Sequence, residues 1–148
     1  MKLALRSLAC CLLLISTPGL AQVNLAQTKW GPAPAVFPKG AKMAVLAGDP
    51  SAPGIFVIRL KMPAGYRVPA HSHASSEYVT VVAGTFNLGM GDKLDMAKSA
   101  ALSVGGFALA PANMNHFAFT RTGATIQIVA EGPFSMTYVN SADDPSKK

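Results

Sequence analysis

The chain has 148 residues, with 13 Lys and Arg against 7 Asp and Glu, for a formal net charge of +6. That length suits one domain. Basic residues such as Lys39, Lys42, Arg59, Lys61, Arg67, Lys93, Lys98 and Arg121 never gather into a run or a helical stripe, which argues against a nucleic-acid partner.

Residues 1–21 read as a secretory signal peptide. Lys2 and Arg6 supply a basic start, residues 8–15 an apolar stretch, and Pro18, Gly19, Leu20 and Ala21 a small-residue exit. A cut after Ala21 leaves 127 residues and, without Lys2 and Arg6, a charge of +4. The apolar stretch is too short to span a bilayer, so no membrane span is expected, and the mature protein is expected in the periplasm or outside the cell. Cys10 and Cys11 both fall in this segment, so neither a disulfide framework nor a thiolate metal site is expected after processing. Ser7 stands where a lipid-attachment signal prefers an aliphatic side chain, which counts against acylation of Cys10.

Residues 22–40 are rich in Pro, Gly and Ala, with Trp30, Val36 and Phe37 as apolar anchors. They predict an extended arm docked on the domain or on a second subunit. Short β-prone runs follow at 43–47, 55–61, 78–82, 85–88, 107–110, 116–121, 124–130 and 134–139. Turn residues separate them, among them Gly48-Asp49-Pro50, Pro63-Ala64-Gly65, Gly105-Gly106 and Thr122-Gly123. Many short strands with almost no helical period predict an all-β sandwich or barrel over residues 41–140. Residues 92–101 are expected to hold a helical turn or two, and 141–148 to form a flexible polar tail.

The protein has three histidines. His71 and His73 stand two apart in a stretch read as strand, a spacing that sends both side chains to one face. Glu77 follows three small residues later and opens an apolar strand, where an unpaired carboxylate would be costly to bury. A cation beside two imidazoles compensates it. His116 opens the run His116-Phe117-Ala118-Phe119 after a separate turn. Imidazole nitrogens with one carboxylate suit one divalent transition metal ion: Zn, Cu, Fe, Mn or Ni. Four protein ligands would close a tetrahedral zinc site yet leave two positions open on an octahedral ion. Phe117 and Phe119 read as core or pocket wall, and Val79 and Val81 as apolar neighbours of the site. Met90, Met96, Met114 and Met136 read as core filling rather than copper ligands. Tyr66, Tyr78, Arg59, Arg67 and Asn115 are candidates to support ligands or move protons.

The spacing Gly65-x5-His71-x-His73-x3-Glu77-x6-Gly84 resembles the first motif of the cupin superfamily. Gly105-x5-Pro111-x-Asn113-x2-His116-x3-Thr120 resembles the second, with Asn113 where a glycine is usual and Thr120 where an asparagine is usual. Asn tolerates a left-handed turn, and Thr120 can still bond locally. The resemblance implies a single-domain jelly-roll β-barrel, or double-stranded β-helix, holding a metal through His71, His73, Glu77 and His116. It also implies a homodimer paired through an N-terminal strand. The functional expectation is a metal-dependent enzyme acting on a small oxygen-rich molecule, of dioxygenase, isomerase or lyase type, with Glu77 as ligand and base. The alternative is a non-catalytic module that binds a metal or small ligand, because fold does not select the chemistry.

Overall fold

The structure, a computed structural model, describes residues 22–148, and the expected signal peptide lies outside the described residues. Among the described residues, eleven strands make up the fold: β1 (Gly31–Pro32), β2 (Lys42–Ala47), β3 (Gly54–Met62), β4 (Arg67–Ser72), β5 (Glu77–Gly84), β6 (Phe86–Met90), β7 (Ser99–Leu102), β8 (Phe107–Ala110), β9 (His116–Phe119), β10 (Ala124–Gly132) and β11 (Thr137–Tyr138). They form two antiparallel sheets, ordered β1-β2-β3-β10-β5-β8 and β11-β4-β9-β6-β7. The expected all-β jelly roll is the observed architecture. Among the described residues no helix is long and apolar enough to cross a membrane.

The core follows from the period of two along each strand. In β3 the alternate residues Phe56, Ile58, Leu60 and Met62 are buried, and β10 sets Ala130, Ile128, Ile126 and Ala124 directly opposite them. Each large apolar side chain buried in this way stabilises the fold by about 1.5–3 kcal/mol. Val79 and Val81 of β5 continue the same buried surface, and Val68, Phe86 and Ala118 meet it from the second sheet.

Gly84 closes β5 at φ +74, and a Cβ there would overlap the Gly123 carbonyl. That position requires glycine both for its left-handed backbone and for the close approach of the neighbouring chain.

Several boundaries differ from expectation. Within 92–101, only Met96–Lys98 forms a single 3₁₀ turn, capped by the Asp95 side chain; Ser99–Leu102 pairs with β6 as a strand. Alanine favours helix, but intrinsic propensity is readily overridden by tertiary context, and the ladder offered by β6 decides here. β9 ends at Phe119, because Thr120 turns its hydroxyl to the Thr85 carbonyl at 2.7 Å and accepts from the Gly123 N–H at 3.0 Å. Residues 134–139 contribute strand only at Thr137–Tyr138. Residues 141–148 hold two 3₁₀ turns, Ser141–Asp143 and Pro145–Lys147, capped by Asn140 and Asp144.

Candidate metal centre

β4 and β9 lie side by side, with His71 directly opposite His116. Their ring centroids are 4.3 Å apart. A bulge in β4 between Val68 and His71 sets this up. Val68 and His71 both line the inner cavity although they are three apart, and Ala70 packs with Phe117 and Phe119 in a separate cluster. One extra residue on one strand re-aims a side chain in this way, a recurrent use of bulges beside functional sites.

His73 lies beyond the end of β4, so its approach does not come from the strand alternation expected of an i, i+2 pair. The loop places its ring 4.9 Å from that of His71 and 5.2 Å from that of His116. The Asn113 N–H donates to the His73 carbonyl at 2.8 Å, tying this loop to the turn before β9. Asn113 has φ 60, the sole positive φ of a non-glycine among the described residues. The left-handed turn expected at this departure from the motif is therefore present.

All three imidazoles are oriented by main-chain oxygens. With Nδ1–H donating, His71 bonds the Pro69 carbonyl at 2.6 Å, His73 the Ser135 carbonyl at 2.7 Å, and His116 the Met114 carbonyl at 3.0 Å. This fixes the tautomer and leaves each Nε2 with a free lone pair. Burial lowers all three pKa values. His71 falls to about 3, through desolvation and then the nearby His116 and His73 rings. His73 and His116 are lowered chiefly by desolvation.

One ligand atom from each histidine lies within 4.8 Å of the other two. Glu77 stands outside that mutually close set. Its carboxylate, entering from β5 in the opposite sheet, approaches His73 Nε2 at 3.4 Å. Desolvation pushes its pKa up to about 7, against a smaller lowering by His116. Three neutral imidazole nitrogens beside a carboxyl group fit a borderline divalent ion.

The cavity in front of these groups is about 30 Å³ and is walled by apolar side chains, among them Phe37, Leu60, Val68, Val79 and Ile128. Phe117 and Phe119 do not contribute to it. They alternate with His116 and Ala118 along β9 and pack on the far side of the sheet under Leu94 and Met96. Val79 lines the cavity and Val81 is buried in the main core.

The polar candidates also lie elsewhere among the described residues. Tyr78 is exposed; Arg59 bonds Thr28 and Gln127; Arg67 is exposed; Asn115 bonds Asp92; Tyr66 donates to the Pro38 carbonyl. None of the four methionines singled out from the sequence lines the cavity. Two residues near the site carry no sequence signal. Phe134 lies 5.3 Å from the His73 ring, and Tyr138 lies 5.9 Å from the His71 ring. Neither belongs to a motif spacing, and a chain reversal beyond β10 brings both back.

A family described as "Domain of unknown function (DUF4437)" matches residues 18–137. No curated protein matches the chain. Among solved structures, the polyketide cyclase RemF from Streptomyces resistomycificus is similar at TM-score 0.69 and 17% identity, covering 85% of this chain and 89% of that one. An RmlC-like cupin from Shewanella frigidimarina has TM-score 0.56 and 18% identity, covering 74% and 87%. A variant of salicylate 1,2-dioxygenase from Pseudoaminobacter salicylatoxidans, in complex with gentisate, has TM-score 0.57 and 15% identity, covering 70% and 30%.

Proposed function

Given that the chain belongs to the DUF4437 family and has the cupin fold, we propose that it is an exported, metal-dependent enzyme acting on a small molecule with oxygen donors. The observation that carries this reading is the convergence of three buried, neutral imidazoles whose outer nitrogens are all engaged by main-chain carbonyls. His71, His73 and His116 would hold one divalent ion, with Glu77 completing the set or standing beside it. Such an ion, when bound, polarises oxygen atoms of a ligand and lowers the pKa of a bound hydroxyl.

The chain's own groups set what can follow. Glu77, with a pKa of about 7, is poised to take a proton from a ligand and return it. The apolar walls exclude bulk water from that exchange. Dioxygenase, isomerase and lyase chemistry all remain compatible with this arrangement.

A second reading is a non-catalytic metal-binding module. It is favoured by the cavity itself, whose apolar lining and size of about 30 Å³ leave room for roughly two waters beside the histidines. Metal analysis of protein taken from its native compartment, followed by a turnover screen of organic acids, phenols and sugars, separates the two. One equivalent of metal without turnover supports the module; chain purified with no metal, and unable to take up zinc, would sink both.

The export signal and the homodimer belong to the same proposal. Recovery of a chain beginning at Gln22 from a periplasmic extract would support the first. A mass near twice that of the processed chain in solution scattering would support the second.

A further inference from the structure

The cavity in front of the histidines is about 30 Å³, whereas pockets for organic ligands occupy roughly 300–1,000 Å³. If the site proposed above acts on an organic molecule, part of its wall must move. Of the strands that line it, β3, β4, β5, β6, β9 and β10 are each paired on both sides, and the edge strand β8, which brings Ala110, is held by its ladder to β5. Two lining residues come from outside the strands: His73, whose loop is tied to Asn113 and Ser135, and Phe37, from the segment between β1 and β2.

That segment is a closed loop. Its base is fastened where the Ala33 N–H donates to the Ala41 carbonyl at 3.1 Å, and its tip is a turn in which the Phe37 N–H donates to the Pro34 carbonyl at 2.9 Å. Phe37 points inward, is 8% exposed, and stacks on Phe134 with centroids 5.8 Å apart and planes 13° from parallel. Phe134 in turn contacts the His73 ring. Two phenols hold the loop down on either side of the plug. Tyr138 donates to the Val36 carbonyl at 2.8 Å and Tyr66 to the Pro38 carbonyl at 2.5 Å. Among the described residues these are the side-chain hydrogen bonds that reach the loop.

We propose that the loop of residues 33–41 is the gate of the histidine cavity, with Phe37 as its plug and Tyr66 and Tyr138 as its latches. The inference rests on the proposed site as the thing being gated. It makes Phe37 the residue that decides which molecules reach the imidazoles. Lifting the loop breaks two hydrogen bonds and one aromatic stack, withdraws Phe37 from the main core cluster, and leaves both sheets paired.

The test uses the full chain without metal and diethyl pyrocarbonate as the probe. The protein's three histidines are the three at this site, so mass spectrometry counts their modification without background from other histidines. Each lost latch is expected to speed labelling roughly fivefold, and Tyr66→Phe with Tyr138→Phe about 25-fold, as expected for loss of about 1 kcal/mol per hydrogen bond. Val81→Ala, a core change outside the cavity lining, should leave the rate unchanged at the same temperature. Equal rates in wild type and the double phenylalanine variant would overturn the gate. So would equal acceleration in Val81→Ala, which would show that labelling follows global unfolding. Zinc uptake is measured separately: a chain that bound no zinc would count against the metal centre and leave the labelling rates to decide the gate.

Discussion

Of the three histidines, His73 is the most dependent on its neighbours. Its ring meets Phe134, its Nδ1 is held by Ser135, its carbonyl accepts from Asn113, and its Nε2 faces Glu77. Loss of a group that only supports a ligand weakens metal binding by about 10–100-fold, so His73→Ala is predicted to weaken zinc binding by at least about 100-fold, measured by competition with a chelator. Retention of wild-type affinity would remove His73 from the site. Protonation gives a second prediction. The ordinary histidine pKa is 6.5, and burial lowers all three, His71 to about 3. The unfolded chain therefore binds protons that the native one refuses, and this contribution to metal-free stability is lost as pH falls below 6.5. Glu77 acts in the opposite sense. Raised from 4.5 to about 7, it holds a proton in the native state, so its contribution is full below 4.5 and lost as pH rises through 7. Glu77→Gln should accordingly be more stable than wild type at pH 8 without metal, and no more stable at pH 4, by denaturant unfolding at each pH.

At the scale of elements, the turns that carry motif residues were legible in the sequence because their backbone demands are local. Asn is a tolerable substitute for glycine in a left-handed turn, and Asn113 adopts φ 60. Asn113→Gly is predicted to leave stability within a few tenths of a kcal/mol, while Asn113→Val should cost about 1–2 kcal/mol and weaken zinc binding by displacing His73. Thermal melts and zinc titration check both parts; an unaffected valine variant would dissociate this turn from the site. The alternation of β9 also correctly predicted that Phe117 and Phe119 are buried, but a period of two does not say which side is the cavity. The β4 bulge was not legible, because a bulge depends on the partner strand and leaves no pattern in the bulged strand's own residues. β7 was missed for a related reason: alanine and serine have little strand preference, and the ladder to β6 decides. Phe37 reaches the site from 28 positions before Gly65, the nearest motif residue, and Phe134 and Tyr138 reach it across a chain reversal, so spacing within a motif carries no information about them.

For the molecule as a whole, the main core runs through Phe56, Ile58, Leu60, Ile126 and Ile128, and that burial should let the two sheets stand without the ion. Metal should therefore add to stability rather than create the fold. Zinc at a hundredfold excess over its dissociation constant is predicted to stabilise the chain by about 2.7 kcal/mol. A chelator should reverse the gain, as read by calorimetry, and the metal-free chain should keep its far-ultraviolet β signature. A chain that unfolded on chelation would show the ion to be part of the framework.

Every imidazole in the protein has its outer nitrogen anchored to peptide oxygen, at Pro69, Ser135 and Met114. Mutation can exchange any side chain around the centre, yet it cannot delete a peptide oxygen. The lining around the three histidines can thus change by substitution, and with it the chemistry, while the proton arrangement on the imidazoles stays the same.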